Sequence, residues 1–227
     1  FKYEEDGPNI LDGISLDIHH GESVAFVGES GCGKSTLLRI LLGFEKPDTG
    51  TVTYDSKTFD SIDSRSLRKN LGVVLQSSKI IPGSIYSNIA FNSPWMTADD
   101  VMSALDKAQL GQFVRELPEG IETELSQSSG GISGGQKQCI LLARALANNP
   151  SIIFLDEATS AMDNLTQRNV LETLDQVKAT KIMVAHRLST VVHCDRIYVL
   201  AKGKIVEQGT YDELVANNGF FAKLVER

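Results

Sequence analysis

Cysteine is scarce. Three residues among 227, Cys32, Cys139 and Cys194, are odd in number and far apart, and no C-x-x-C or Cys/His cluster offers zinc a ligand set. They read as reduced thiols in a cytoplasmic setting. Long apolar runs are missing too. The longest, Cys139-Ile140-Leu141-Leu142-Ala143, stops at Arg144, far short of the ~20 residues a membrane-spanning helix needs. There is no basic excess: 22 Lys and Arg against 29 Asp and Glu give a net charge of −7, which argues against broad nucleic-acid binding. No internal repeat, low-complexity linker or signal peptide is present, and the first residue is Phe1 rather than Met, so the sequence reads as a domain excised from a longer chain. What remains is ordinary for a globular protein, 41% apolar and 22% charged, with length for one sizeable domain or two lobes sharing a site.

Apolar runs of strand length alternate with helical patterns, the order that builds a mainly parallel sheet with flanking helices. Strands are predicted at Ser23–Val27, Leu71–Leu75, Ile152–Leu155, Lys181–Ala185 and Arg196–Leu200, and a helix from Lys34 to Leu42 closed by Gly43. Four of these strands run into residues able to handle phosphate, metal or water: Gly28, Gln76, Asp156 and His186. In open α/β sheets ligands sit beyond the carboxyl ends of the strands. Two regions depart from the pattern. Ile14–Ile18 and Gly50–Tyr54 alternate apolar and polar residues as antiparallel strands do. Residues 84–149 are dominated by helical periodicity, near Thr97–Gln109, Gln112–Leu117 and Ser133–Ala147. The expectation is an α/β core carrying a β-rich strip and a helical lobe.

The chemistry begins at Gly28-Glu29-Ser30-Gly31-Cys32-Gly33-Lys34-Ser35, which fits G-x-x-x-x-G-K-[ST] between a predicted strand and helix. Glycines let backbone N–H groups fold around phosphate, and the helix N-terminus adds partial positive charge. Lys34 can reach the β- and γ-phosphates and the Ser35 hydroxyl can ligate Mg²⁺. A glycine-rich turn with an incidental lysine would not need the whole pattern in this context. Asp156-Glu157 follows four apolar residues. Such an acid pair can simply open a helix, but beside a phosphate loop the aspartate suits Mg²⁺ and the glutamate an attacking water. Ser133 and Gln136 spell a capping box; yet Gly134 and Gly135 fall in the first turn, where each costs up to ~1 kcal/mol relative to alanine. Close backbone approach to an anion would explain them.

The string Ile132-Ser133-Gly134-Gly135-Gln136 resembles the LSGGQ signature of ABC transporter ATPases, and further landmarks stand in matching order across essentially the whole chain. The resemblance implies an α/β fold: a P-loop NTPase core with a mainly parallel sheet, an N-terminal antiparallel β subdomain and an inserted helical subdomain at about 84–149, all within one ATP-binding domain, 1–227. It implies ATP and Mg²⁺ as ligands. Tyr3 is similar to the aromatic that stacks on adenine, and Glu29, Ser30, Gly31, Cys32, Gly33 and Thr36 complete the nucleotide-binding loop with Gly28, Lys34 and Ser35. Ser35, Gln76 and Asp156 are the implied metal ligands, Glu157 the implied base, and His186 the residue on the γ-phosphate. Ser160-Ala161-Met162-Asp163 resembles the SALD segment, which puts Asp163 near a dimer seam. In the family two such domains pair head-to-tail, so Ser133, Gly134, Gly135 and Gln136 would serve a partner's ATP.

Ile81 to Ala90, together with the DEATSAMD and AHRLST stretches and the ending from Glu207 to Leu214, is similar to exporters that fuse membrane and ATPase domains in one polypeptide. Within that group the chain is similar to bacterial peptide and bacteriocin exporters, including the ATPases of nitrile-hydratase-leader microcin systems. That implies work at the cytoplasmic face of the bacterial inner membrane, with a second ATPase domain and a transmembrane domain as partners and no nucleic acid. Three positions depart: Gln127 stands where a glutamate is usual, Cys139 replaces an arginine and Ile132 a leucine. A soluble ABC ATPase of DNA repair or ribosomes is the alternative; it calls for a long coiled-coil insertion or a basic arm, and neither is present.

Overall fold

The computed structural model describes residues 1–91, 93–125, 132–185 and 187–225. They fall into two compact units, one of residues 1–68 and 180–227 and the other of residues 69–179. The first unit opens with β1 (Ser23–Val27), α1 (Lys34–Leu41), the two short strands β2 (Thr53–Tyr54) and β3 (Lys57–Thr58), and α2 (Ser64–Lys69) at its boundary. The second holds β4 (Leu71–Val74), β5 (Gly83–Ser84), α3 (Ile85–Ala90), α4 (Ala98–Lys107), α5 (Gly111–Glu116), β6 (Glu124–Leu125), α6 (Gly134–Leu146), β7 (Ile152–Asp156) and α7 (Asn164–Gln176). The chain then returns to the first unit through β8 (Thr180–Val184), β9 (Arg196–Ala201), β10 (Lys204–Gly209), α8 (Tyr211–Ala216) and α9 (Phe220–Val225).

In the first unit β1 lies between β8 and β9 and runs parallel to both. All five of its residues are buried, which is why the four after Ser23 form an apolar run rather than an alternation. Phe26 stacks on Tyr198 of β9 with ring centroids 5.5 Å apart, and the Tyr198 hydroxyl donates to the Asp17 carbonyl at 3.2 Å. From α1, Leu37, Leu38 and Ile40 are buried, each such side chain stabilising the fold by about 1.5–3 kcal/mol. β10 closes the far side antiparallel to β9. Its Glu207 carboxylate accepts from the Phe220 and Phe221 amides and so caps α9.

In the second unit β4 and β7 pair in parallel, and α6 packs against β4, α3 and α4. Ile140, Leu142 and Leu146 of α6 share this core with Ile85, Ile89 and Leu105. One polar hub runs through it. Asn88 is fully buried; its side chain accepts from the Ile81 amide and donates to the carbonyls of Ile81 and Ser84. Arg144 donates to the Asn88 carbonyl at 2.6 Å and to its Oδ1 at 2.7 Å, and lies 5.4 Å from the Phe91 ring. A buried polar group bonded this fully fixes the path of residues 79–91.

The mainly parallel α/β fold is as expected: three of the longer pairings are parallel and one antiparallel. The helical stretch is there as α3 to α6. Only the β-rich strip is smaller than its pattern suggested. Ile14, Leu16 and Ile18 are half-buried and Ser15 and Asp17 exposed, so the alternation is real, but no strand is formed there. A ladder needs a partner row of N–H and C=O groups, and among described residues only β2 and β3 pair in this N-terminal region, over two residues each.

Candidate functional site

The phosphate loop links β1 to α1. Gly28 has φ 150, and a Cβ there would come within 2.2 Å of the Leu200 carbonyl oxygen. Gly33 has φ 108, with a Cβ 2.8 Å from Leu11 Cδ2 and 2.9 Å from the Ile10 carbonyl oxygen. Both positions exclude side chains on space and conformation alike. Gly33 is also the N-cap of α1, and no side chain caps that helix, so its first-turn amides are left for an anion. Lys34 is 5% exposed, and its ammonium is satisfied by the loop itself, donating to the carbonyls of Gly28 at 2.8 Å and Glu29 at 2.9 Å, with Cys32 Sγ at 3.6 Å. A buried cation held by carbonyl dipoles in an anion-binding loop is set to exchange those partners for phosphate oxygens. Glu29, Ser30, Gly31 and Ser35 are exposed. Cys32 fills space against Gly28 and is buried. Beyond the loop lies a cavity of about 340 Å³ edged by Gly28, Glu29, Ser30, Ala185 and Leu188. Tyr3 is 56% exposed as a residue while its hydroxyl lies 3.2 Å from Thr36 Oγ1, in the first turn of α1.

The candidates from Gln76 to Asp163 lie in the second unit. Gln76 is exposed just past β4, and Asp156 is the buried last residue of β7. Glu157 follows with φ 54, a left-handed conformation that costs a non-glycine residue about 1–3 kcal/mol and that collects at functional sites. Ser133 caps α6 as the sequence predicts: the Gln136 amide donates to Ser133 Oγ at 3.2 Å and the Ser133 amide to Gln136 Oε1 at 2.8 Å. The glycines behind it have a structural neighbour. A Cβ on Gly135 would stand 3.1 Å from the Ala161 carbonyl oxygen, and one on Gly134 3.6 Å from Ala161 Cβ. Close approach of the 161–162 backbone therefore explains Gly135 at least as directly as an anion does. Asp163 caps α7, accepting from the amides of Leu165 and Thr166 and from the Thr166 hydroxyl at 2.6 Å. The hydroxyl first, then the amide bonds, hold its carboxyl below the usual aspartate range. His186 and Gln127 lie outside the described residues.

Mg²⁺ prefers hard oxygen donors, and the candidate set of Ser35 hydroxyl, Gln76 amide and Asp156 carboxylate is all oxygen. Among the described residues no group of three or more His, Cys, Asp and Glu could hold a metal. Cys139 is chemically quiet: burial pushes its thiol up to about 11. One residue escaped the sequence reading. Gln138 bonds three groups of the turn after β7; the only hint was its position one helical turn past Gly134.

Strand, glycine loop, uncapped helix and buried lysine define a nucleoside-triphosphate-binding protein of the phosphate-loop class. A family model described as ABC transporter matches residues 11–160, and the chain belongs to that family as an ATPase domain. The chain is 43% identical over 227 residues to the leukotoxin translocation ATP-binding protein LktB of Mannheimia haemolytica, covering 99% of this chain and 32% of that protein. The LktB protein of Bibersteinia trehalosi matches to the same extent. A solved structure of a bacterial Atm1-family ABC exporter with ATP bound superposes with TM-score 0.94 at 38% identity, covering 100% of this chain and 40% of that one. The chain thus spans about a third of the length of the curated relatives it matches. Among the described residues no helix is long and apolar enough to cross a membrane.

Proposed function

We propose that this ATPase domain binds and hydrolyses ATP as a head-to-tail pair and drives export of a peptide or protein across the bacterial inner membrane, working from its cytoplasmic face beside a transmembrane domain. The observation that carries this reading is the Lys34 ammonium, buried and held by the Gly28 and Glu29 carbonyls in front of the uncapped α1. In binding ATP, Lys34 releases those carbonyls for the β- and γ-phosphates, and the α1 amides take the remaining oxygens. Tyr3 stacks on the adenine. Ser35, Gln76 and Asp156 would hold Mg²⁺, which supplies charge neutralisation on the phosphates. Glu157 accepts the proton of the attacking water and His186 orients it on the γ-phosphate. Ser133, Gly134, Gly135 and Gln136 serve the partner domain's nucleotide, with Asp163 at the seam. ATP then favours the closed pair, and hydrolysis removes that preference.

Support for the cargo class comes from the leukotoxin translocation proteins at 43% identity, and for export from the Atm1-family neighbour. The test is steady-state turnover in Glu157→Gln. Removing a general base lowers the rate by about 10²–10⁴-fold while ATP affinity, read by equilibrium binding, stays within about threefold. A parent-like rate in this variant removes Glu157 as the base.

A further inference from the structure

The left-handed conformation of Glu157 (φ 54) needs neighbours that hold it. Its carbonyl accepts from the Ser160 amide at 3.1 Å and from Gln138 Nε2 at 3.3 Å. The same Nε2 donates to Ser160 Oγ at 3.1 Å, and Gln138 Oε1 accepts from the Ala161 amide at 2.8 Å. One side chain therefore grips both ends of the turn from 157 to 161. Gln138 stands on α6 one turn past Gly134, so Gly134 and Gln138 share a face, and a Cβ on Gly135 would stand 3.1 Å from the Ala161 carbonyl oxygen and 3.5 Å from Met162 Cα. That face of α6 is the seat of the turn: Gly135 lets the 161–162 backbone approach, and the glutamine bolts it down.

We infer that Gln138 is a positioning residue for Glu157, holding the peptide after it so that the carboxylate keeps a fixed aim, and that it ties the helix opened by Ser133 to the turn carrying the base. The inference rests on Glu157 being that base. Gln138 acts through the main chain after Glu157, by its bonds to the Glu157 carbonyl and the Ala161 amide. Its carboxamide supplies donor and acceptor together, which alanine lacks; glutamate keeps only the acceptor for the Ala161 amide.

The experiment compares Gln138→Ala, Gln138→Glu, Glu157→Gln and the Gln138→Ala/Glu157→Gln double variant, reading kcat, KM for ATP and thermal midpoint. Gln138→Ala should lower kcat by about 10- to 100-fold through misaim of the carboxylate, with KM within about twofold and the midpoint within about 3 °C. Gln138→Glu should recover part of the loss. In the double variant the Gln138 change should cost nothing beyond Glu157→Gln alone, because the group it aims is gone. Parent-like kcat in Gln138→Ala beside a slow Glu157→Gln overturns the inference and leaves the base standing. Losses that multiply in the double variant, or a kcat loss accompanied by a large fall in midpoint, also overturn it, since they show a role independent of Glu157. Parent-like turnover in Glu157→Gln overturns the base reading itself.

Discussion

Two glycine pairs stand at the two signatures of this chain, and they are there for different reasons. Gly28 and Gly33 of the phosphate loop have positive φ and lie against the carbonyls of Leu200 and Ile10; no side chain fits either. Gly134 and Gly135 are helical residues in the first turn of α6 with room, or nearly room, for a Cβ. The first pair makes the loop's shape possible. The second controls how near the 161–162 backbone comes to a helix end. Identical residues in the two motifs thus answer to backbone conformation in one place and to approach distance in the other.

The contrast is sharpest under substitution. Gly28→Ala should be the most damaging, because its Cβ meets main chain in a strained conformation: a loss of about 3 kcal/mol or more, seen as a fall in thermal midpoint of roughly 6–12 °C. Gly33→Ala meets a movable Leu11 side chain as well as the Ile10 carbonyl and should fall just short of that. Gly134→Ala should leave the midpoint unchanged or raise it, since alanine favours a helix by up to about 1 kcal/mol; ATP turnover should nonetheless drop if this helix end receives a partner's phosphate. Equal destabilisation by Gly28→Ala and Gly134→Ala would collapse the distinction.

A smaller effect separates the two helix starts by pH. Asp163 caps α7 with a carboxyl held below the usual aspartate range by the Thr166 hydroxyl and amide, whereas α1 begins uncapped. A depressed carboxyl contributes stability that is present above its unfolded pKa and lost as pH falls through its folded pKa. Melts of the parent and Asp163→Ala at stepped pH should therefore differ at neutrality and converge in the acid range below the usual aspartate value; a gap independent of pH would contradict the assignment.

Local pattern carried far where the cause is local. Apolar runs located β1, β4, β7, β8 and β9 to within a residue or two, because strands buried on both faces cannot hide. The spacing of Ser133 and Gln136 announced their capping box. What stayed hidden depends on partners distant in sequence or on backbone angles no residue type declares. Nothing about a glutamate says that it sits at φ 54. Gln138 reads as one more helical polar residue until Ser160 and Ala161, more than twenty positions on, are seen to bond it. Arg144 and Asn88 likewise meet across 56 positions. The alternation at Ile14–Ile18 was genuine, yet alternation reports faces, and a strand also needs a neighbour.

The most direct test of the composite site is size exclusion of Glu157→Gln with and without ATP. A variant that binds ATP and barely hydrolyses it should elute as a dimer only when ATP is present, and adding Ser133→Arg should return it to monomer. A Glu157→Gln chain that stays monomeric at saturating ATP, or that dimerises equally with Ser133→Arg, would contradict the head-to-tail site.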